Sequence, residues 1–415
     1  DEAINFPQVI PFRMTRLARA HARFQTMASP MDRADFASFS VRHAHWLADY
    51  ALFMALAEHF GGRRWTDWDA PLAQRDPRAL AAATRTHARR VDFWRFCQWS
   101  FFRQWQRLKT YANARGVHMV GDVPIFVAQE SVDVWARPEL FELDAQGRPT
   151  VVAGVPPDAF SDTGQRWGNP LYRWSAHSEE KFKWWISRVR HVFAMVDMAR
   201  IDHFRGFESY WEIPATEPTA TQGRWVSAPG DALFAEMANA LGPLPIIAED
   251  LGVITADVTA LRKKHGFPGM RVLQFAWGAD QIGDPHHLPH TYEPGSVVYP
   301  GTHDNDTTLG WWSDLPDAVR AHVRDYLAFD GSDVGWAFIR AACASVAQLA
   351  IYPMQDVLRL SRAHRMNRPG TPDGNWSWRF TWADVGSEHA ALLRHLTLLY
   401  GRLPQDTAQA GNITG

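Results

Sequence analysis

The chain has little cysteine, no long apolar run and almost no net charge, and each of these absences argues against a class of protein. Only two of its 415 residues are cysteines, Cys97 and Cys343. Both lie in helical apolar patterns, which argues against a disulfide scaffold or a zinc site and for a reducing compartment. No stretch of about 18 apolar residues would span a membrane, and the start of the sequence does not resemble a signal peptide. We therefore expect a cytoplasmic protein.

Tryptophan, in contrast, is abundant. There are 20 Trp beside 9 Tyr and 24 Phe, and the formal net charge is only -2. A nearly neutral chain lacks the excess positive charge that would attract nucleic acid or an anionic membrane. Many of the indoles are expected to pack in the core, but exposed ones would offer flat apolar faces on which sugar rings stack. An uncharged carbohydrate is therefore the expected partner.

Residues 1–116 show one helical pattern after another, without strands between them. The apolar spacing over residues 36–60 predicts a helix that ends at Gly61. A longer helical pattern begins at Pro77, a residue well suited to the first position of a helix, and ends at Gly116. We interpret residues 1–116 as a helical insertion subdomain and residues 117–415 as the catalytic domain.

From residue 117 onward, short apolar strands alternate with helical stretches. The strands are expected near residues 120, 201, 247, 273, 299 and 351, with the later ones spanning 245–250, 271–277, 297–303 and 349–354. The helices are expected over residues 179–196, 231–241, 255–265, 317–329 and 334–346. Such alternation predicts right-handed crossovers and a parallel sheet. It favours the α/β class, although a closed (β/α)8 barrel needs eight strands and only six are found.

One connection is unusually long. Residues 144–174 are rich in Pro and Gly and are expected to form a loop. Connections in compact domains are usually about 4 to 6 residues long, and longer ones are often functional. We therefore predict that residues 144–174 form a lid or a binding loop.

Three of the expected strands end in a carboxylate, at Asp202, Glu249 and Asp304. Barrel enzymes place their chemistry at the carboxyl ends of parallel strands, so these side chains are expected to converge. Retaining cleavage of an acetal needs an ionised nucleophile and a protonated acid about 5 to 5.5 Å apart. The positive charge of Arg200 would keep Asp202 ionised, and apolar surroundings would raise the pKa of Glu249.

Other interpretations of these residues remain open. A strand-end carboxylate often only caps the next helix or pairs with an arginine. Asp122 is either a catalytic partner or, as we favour, a substrate-positioning or barrel-lining residue. His286, His287 and His290 are spaced closely enough to suggest a metal site, but the flanking prolines and the lack of cysteine favour a rim loop.

Several motifs in the sequence resemble one family closely. The similar segments are residues 121–127, 154–161, 164–172, 199–207, 247–252, 301–307, 365–367 and 374–376. They resemble the amylomaltases or disproportionating enzymes, which are 4-alpha-glucanotransferases of glycoside hydrolase family 77. The resemblance covers nearly the whole chain. It implies a barrel of the alpha-amylase kind that transfers alpha-1,4-glucan segments through a covalent glucosyl-enzyme intermediate.

The resemblance also implies a role for individual residues. By motif, Asp202 is similar to the nucleophile, Glu249 to the acid/base and Asp304 to the third carboxylate. The positions similar to substrate-binding residues are Arg200, His303, Asp122, Phe160, Gln165, Trp167, His203, Phe275 and Asn375. In the family, the segment similar to 144–174 is a lid whose aromatic residue, here Phe160, packs at the acceptor side. A lid that excludes water would let a sugar hydroxyl, rather than water, complete the reaction.

The implied partners are malto-oligosaccharides, amylose or glycogen-derived glucans, with glucose as an acceptor, and no cofactor or metal. One departure from the family lies at the start, because residues 1–116 show neither of the two strands with which the family's catalytic domain begins. We therefore expect the sequence to lack the first two barrel strands. Two rival functions remain, an alpha-glucan hydrolase of the same barrel and a truncated, inactive glucan-binding body.

Overall fold

The protein divides into two compact units. The computed structural model describes residues 3–158, 161–278, 283–371 and 373–403. One unit comprises residues 7–267 and the other begins at residue 268 and includes the first few residues of the chain. We call them the 7–267 unit and the 268–403 unit. The proposed boundary between a helical subdomain and a catalytic domain at residue 116 stays a prediction.

The 7–267 unit begins with a series of helices and then alternates between helices and strands. Its α-helices are α1 (Phe6–Met27), α2 (Pro30–Arg42), α3 (Ala44–His59), α4 (Ala70–Ala73), α5 (Pro77–Thr86), α6 (Ala88–Asn113), α7 (Val132–Ala136), α8 (Trp174–Glu179), α9 (Lys183–Met195), α10 (Gly230–Leu241) and α11 (Ala256–Lys264). Its strands are β1 (Val120–Val123), β2 (Val151–Val155), β3 (Gln165–Pro170), β4 (Met198–Ile201), β5 (Ser209–Pro214), β6 (Arg224–Ser227) and β7 (Ile246–Ala248).

The strands of the 7–267 unit belong to two sheets of different kinds. Strands β1, β4 and β7 are parallel neighbours, with Asp122 beside Arg200 and Ile201 beside Ala248 in the register. Strands β3, β2, β5 and β6 form a separate antiparallel sheet in that order. β7 is fully buried, which explains its uninterrupted apolar sequence, because parallel strands are usually covered on both faces.

The core of the 7–267 unit is largely aromatic. Trp135, Trp185, Phe204, Phe207 and Phe234 are among its largest fully buried side chains. Their rings meet mostly at tilted or edge-to-face angles, as quadrupolar aromatic rings prefer. Many of the chain's tryptophans are therefore used for packing, as expected, and this packing holds the loop after β4 in place.

The 268–403 unit continues the alternation of strands and helices. Its strands are the parallel neighbours β8 (Gly269–Val272), β9 (Ser296–Tyr299) and β10 (Leu349–Ala350). Its α-helices are α12 (Thr308–Asp314), α13 (Asp317–Leu327), α14 (Val334–Ala344), α15 (Met354–Val357) and α16 (Ser387–Leu399). The core gathers apolar side chains of β9 and α14, including Val298 and Phe338. Across the described part of the chain, no helix combines the length and the apolar character that crossing a membrane would require.

The six expected strands are all present and parallel within each unit, but several boundaries differ from the predictions. The strand expected over 271–277 ends at Val272, and Leu273–Ala276 forms a 3-10 turn. This turn is stabilised by a hydrogen bond from the backbone N–H of Gln274 to the carbonyl of Pro300, 3.1 Å away. The helices expected over 36–60 and 77–116 are each broken, at His43 and His87.

The largest correction concerns residues 144–174, which were expected to be one loop. They contain β2 and β3, and helix α8 begins at Trp174. β2 pairs with β5, more than fifty residues later in the chain. A pairing partner so distant leaves no local pattern, and the Pro and Gly content of the segment resembles that of a loop. The function of residues 144–174 as a lid stays a prediction.

Candidate active site

Arg200 joins two carboxylates at the exit of the parallel strands. Its Nη1 lies 2.8 Å from both oxygens of Asp122 on β1, and its Nη2 lies 2.8 Å from Oδ1 of Asp202, just past the end of β4. The Arg200 side chain is 9% exposed, whereas Asp122 and Asp202 are 43% and 46% exposed. One buried guanidinium thus orients two carboxylates that remain accessible to a substrate.

The charges around Arg200 keep it protonated. Burial by itself lowers the pKa of Arg200, but the negative charges of Asp122, Asp202 and Glu249 raise it above its ordinary value. In return, the permanent positive charge of Arg200 favours the ionised form of Asp202, which it contacts. Asp202 therefore has the environment of a carboxylate that stays negatively charged.

Glu249 follows β7 and has the opposite environment. Burial is the main cause that raises the pKa of its carboxyl to about 7, and the negative charge of Asp202 raises it further. Arg200 and two backbone N–H groups act in the other direction. The N–H of His203 donates to Oε2 at 2.7 Å, and the N–H of Leu251 donates to Oε1 at 2.9 Å. A carboxyl with a pKa near 7 exchanges its proton readily near neutral pH.

Backbone hydrogen bonds fix the loops that carry Asp202 and Glu249. The N–H of Asp202 donates to the carbonyl of Val123, and the N–H of Glu249 donates to the carbonyl of Ile201. The N–H of Phe204 then returns a bond to the carbonyl of Glu249 at 3.0 Å. Between them, His203 has a φ of 53°, a left-handed conformation that is uncommon for residues other than glycine. This turn aims the N–H of His203 at the carboxylate of Glu249.

Gln165 and Trp167 reach the same region from the antiparallel sheet. Both lie on β3, and the indole N–H of Trp167 donates to Oε1 of Gln165 at 3.1 Å. The ring of Trp167 meets the ring of His203 edge-on, with centroids 4.8 Å apart. Burial is the main cause that lowers the pKa of His203, to about 3, and Arg205 adds to this effect. His203 is therefore a neutral imidazole near neutral pH.

Asp304 lies in the 268–403 unit, in the loop after β9. Its Oδ1 accepts a hydrogen bond from Nδ2 of Asn367 at 2.6 Å, and its backbone carbonyl accepts one from Arg365. Nε2 of His303 lies 3.3 Å from Oδ2 of Asp304. The loop itself is stabilised by Asn305, whose Oδ1 accepts hydrogen bonds from the N–H and the hydroxyl of Thr302. Both oxygens of the Asp304 carboxylate are thus oriented by neighbouring side chains.

With this geometry established, comparison with known proteins identifies the family. Residues 1–384 match the family model described as 4-alpha-glucanotransferase. The chain belongs to the 4-alpha-glucanotransferase family. The family assignment suggested by the sequence motifs is confirmed.

Individual members of the family are similar over most of their length. A 4-alpha-glucanotransferase of Thermus thermophilus is 50% identical over 96% of this chain and 81% of its own length. One of Synechocystis is 46% identical over 96% of this chain and 79% of its own length. An amylomaltase of Streptococcus agalactiae, solved in complex with acarbose, is 38% identical with a TM-score of 0.92, covering 96% of this chain and 80% of that one. The expected α/β fold of the barrel type is confirmed.

Two residues that contact Asp304 were not assigned a role from the sequence. Asn367 and Arg365, which contact Asp304, lie in the motif 365–367 that matches the family. The motif was therefore a signal, but an approach across more than sixty residues of sequence does not show in a linear pattern. Asn375, assigned instead, uses its amide within its own loop: Oδ1 accepts from the N–H of Arg368, and Nδ2 donates to the carbonyl of Thr371.

The two predicted aromatic residues of the site and the histidine group are considered next. Phe160, the proposed lid aromatic, lies outside the described residues. Phe275 is half-buried in the 3-10 turn after β8, where its ring meets that of His287 edge-on. His287 is buried, and its Nδ1 accepts the N–H of Val272 at 3.0 Å, a structural use of the ring. Over the described ranges, no group of three or more His, Cys, Asp or Glu is arranged to hold a metal ion.

Proposed function

We propose that the chain is a 4-alpha-glucanotransferase that moves alpha-1,4-glucan segments between malto-oligosaccharides, or onto glucose, by a retaining double displacement. The observation that carries this proposal is the contrast between Asp202 and Glu249. They follow neighbouring parallel strands, one beside a buried arginine and the other with a pKa raised to about 7. An ionised nucleophile beside a protonated acid is the pair that a retaining mechanism needs.

In the first step, Asp202 attacks the anomeric carbon of the donor while Glu249 gives its proton to the glycosidic oxygen. The glycosidic bond breaks, the shortened glucan leaves with a free hydroxyl, and the remaining segment is bonded to Asp202 as an ester. The contact with Arg200 keeps Asp202 ionised for this attack. Glu249 is left as a carboxylate, whose charge the backbone N–H groups of His203 and Leu251 stabilise.

In the second step, the roles of Glu249 reverse. Its carboxylate takes the proton from the 4-hydroxyl of an acceptor sugar, whose oxygen attacks the anomeric carbon and displaces Asp202. The alpha linkage is re-formed and both carboxyl groups regain their starting states.

Donors are malto-oligosaccharides, amylose or glycogen-derived glucans, and glucose serves as the smallest acceptor. Two free cysteines in the described chain agree with a cytoplasmic location.

The other residues assist these two. We assign Asp304 to hydrogen bonds with sugar hydroxyls and to the positive charge that develops at the anomeric carbon, with His303 as a further donor. Asp122 and Arg200 orient the nucleophile, while Trp167, Gln165 and His203 line the sugar site. Phe160, Phe275 and Asn375 remain substrate-binding candidates on the basis of family resemblance.

Incubation with maltotriose tests this function. Transfer exchanges one glycosidic bond for another, so we expect a ladder of shorter and longer glucans while the concentration of reducing ends stays constant. Hydrolysis would instead release glucose and maltose and raise the concentration of reducing ends. Analysis of the products by chromatography, together with a reducing-end assay, separates the two reactions.

Variants connect the reaction to the site. Asp202→Asn removes the nucleophile and is expected to abolish the ladder. Asp330→Asn alters an exposed turn and is expected to leave transfer unchanged. Constant reducing ends without a ladder, combined with saturable binding of amylose, would mean that the chain is a glucan-binding protein. A ladder that persists in Asp202→Asn would contradict the assignment of the nucleophile.

A further inference from the structure

One buried carboxylate of the 268–403 unit has no part in the proposed reaction. Asp356 lies on the short helix α15 and is only 2% exposed. Its Oδ1 accepts the backbone N–H of Thr308 at 2.8 Å, and its Oδ2 accepts the hydroxyl of the same residue at 2.7 Å. Thr308 is itself fully buried and is the first residue of α12. Both oxygens of Asp356 are therefore used to hold one residue of another element.

The surroundings of Asp356 do not favour its charge. Both hydrogen bonds come from neutral donors, and the nearby carboxylate of Asp306 has the same sign. Burial is the main cause that raises the pKa of Asp356 to about 6, while the two bonds from Thr308 lower it. At pH 7 the carboxylate is therefore ionised. Burying a charge against neutral donors is costly, so the geometry that this carboxylate imposes explains it better than the stability that it adds.

Thr308 ends the segment that begins with Asp304. This segment is held by side chains from different parts of the 268–403 unit. Nε2 of Gln274 donates to the backbone carbonyl of Asp306 at 3.0 Å, and Nε of Arg362 donates to Oδ2 of Asp306 at 2.6 Å. The two bonds at Thr308 fix the far end of the same segment. The backbone after Asp304 is thus anchored at successive residues.

The helix that carries Asp356 is itself closely packed. Helix α14 approaches it at Gly335, where an added Cβ would lie 3.0 Å from the backbone carbonyl oxygen of Asp356. Val357, the next residue, is buried in one cluster with Trp336 of α14. A side chain positions another group only if its own support is fixed. Helix α14 therefore fixes α15, and α15 presents the carboxylate to Thr308.

We propose that Asp356 is a positioning residue of the proposed catalytic site and that, through Thr308, it fixes the location of the Asp304 carboxylate. The proposal rests on the proposed function for the role of Asp304. Asp356 contacts no sugar and transfers no proton, since it acts through the backbone of residues 304–308. A displacement of a reacting group by about 1 Å can cost roughly 10²-fold in rate. A small shift of Asp304 is therefore expected to lower kcat.

Substitutions of nearly equal shape test the contact. Asp356→Asn replaces one accepting oxygen with an NH2 group that faces a donor of Thr308. We expect kcat for maltotriose to fall about 10- to 100-fold while KM changes less than about threefold, because the misplacement is felt mainly in the transition state. Thr308→Val removes only the hydroxyl and should lower kcat about fivefold. Thr308→Ser keeps the hydroxyl and should retain the wild-type kcat.

A double variant and a control separate positioning from general stability. Asp356→Asn combined with Thr308→Val should lose no more kcat than Asp356→Asn alone, because both changes break the same contact. Asp333→Asn is the matched control. Asp333 is half-buried, pairs with Arg359 at 2.7 Å and accepts the N–H of Trp336 at 3.3 Å, at the start of α14. This control should lower stability to urea and leave kcat unchanged.

A loss of stability without a loss of rate would overturn the proposal. In that case the kcat of Asp356→Asn, calculated per folded molecule, would equal that of the wild type, and the carboxylate would serve packing only. If Asp356→Asn does not fold, the variants of Thr308 provide the same test. Equal kcat values for Thr308→Val and Thr308→Ser would then overturn the proposal.

Hydrogen exchange separates this proposal from the proposed function. Exchange of the backbone amides of residues 301–308, measured by mass spectrometry, reports how firmly the segment is held and needs no turnover. We expect faster exchange in Asp356→Asn than in the wild type or in Asp333→Asn. A chain without transfer activity that shows this difference would keep Asp356 as the anchor while the proposed function failed. Equal exchange in all three proteins would overturn the proposal, whether or not the chain transfers glucans.

Discussion

At the scale of single residues, the site depends on two carboxyl groups with the same chemistry and different surroundings. Asp202 is half-exposed beside a guanidinium, whereas Glu249 lies where burial opposes ionisation. In the proposed mechanism, environment rather than residue type therefore assigns the roles of nucleophile and acid. The carboxyl whose charge is disfavoured is the one that is suited to carry a proton at neutral pH.

The raised pKa of Glu249 predicts how activity depends on pH. The first step needs Glu249 protonated, so kcat/KM for maltotriose should fall as pH rises through about 7. Glu249→Gln should reduce transfer by roughly 10²- to 10⁴-fold, because the amide donates no proton to the leaving oxygen. Glu179→Gln changes an exposed helix end and should keep the wild-type profile. A wild-type profile that is flat between pH 6 and 8 would contradict the assignment of Glu249 as the acid.

The same shift predicts a pH-dependent change in stability. Because the folded pKa of Glu249 lies above the ordinary 4.5, the stabilising effect is complete below pH 4.5 and is lost as pH rises through about 7. Relative to Glu249→Gln, the wild type should therefore lose about 3 kcal/mol of unfolding free energy between pH 4.5 and 8. Urea unfolding of both proteins at the two pH values measures this difference. A constant difference would show that the pKa of Glu249 is not raised.

At the scale of elements, the antiparallel sheet carries two of the proposed substrate-binding side chains. Strand β3 carries Gln165 and Trp167, and its neighbour in the antiparallel sheet is β2. The pairing is close at Gly154, where an added Cβ would lie 2.2 Å from the carbonyl oxygen of Gln165. A glycine at this position lets the two backbones approach each other.

This close approach predicts the effect of a single methyl group. Gly154→Ala should displace β3, lower the unfolding free energy by about 1 to 3 kcal/mol and raise KM for maltotriose, because Trp167 moves with the strand. Gly295→Ala is the control, since a Cβ there meets nothing within 4 Å and the backbone conformation is ordinary. Urea unfolding and initial rates are the measurements. If the two variants behave alike, the pairing of β2 and β3 does not position Trp167.

At the scale of the molecule, a single carboxylate connects the long helix α6 to the parallel strands of the 7–267 unit. Asp197 accepts hydrogen bonds from Asn113 at 2.9 Å and from the N–H of Met119 at 2.7 Å, and Lys109 lies 2.7 Å away. Burial raises the pKa of Asp197, but the bonds from Lys109, Met119 and Asn113 outweigh it and lower the pKa to about 2. Helix α6 is thus connected to the residue that immediately precedes β4.

This connection predicts sensitivity to acid. The folded pKa of Asp197 lies below the ordinary 3.8, so its contribution of about 2 kcal/mol is present above pH 4 and is lost as pH falls through about 2. Asp197→Ala should lower the unfolding free energy by at least this amount at pH 7. Asp325→Ala, at an exposed position of α13, should have little effect. Equal unfolding midpoints for the two variants at pH 7 would contradict the role of Asp197.

Many of the structural elements, and the strand-end positions of the carboxylates, were determined by local sequence. The alternation of apolar strands and helical stretches, the position of Asp202, Glu249 and Asp304 at strand ends, and the family motifs are all properties of short segments. Burial of a strand, exposure of a helix face and the identity of a motif depend on neighbouring residues. They could therefore be predicted without coordinates, and the expected family and fold are confirmed.

Tertiary structure alone decided which distant residues meet. The pairing of β2 with β5, the contact of Asn367 with Asp304 and the donation of the His203 N–H to Glu249 each join segments many residues apart. Such contacts arise from packing of the whole chain, and a linear pattern carries no information about them. The rise in the pKa of Glu249 could be predicted from its apolar neighbours in the sequence. The residues that donate hydrogen bonds to Glu249, and the charges of Asp202 and Arg200 near it, could be identified only in the folded structure.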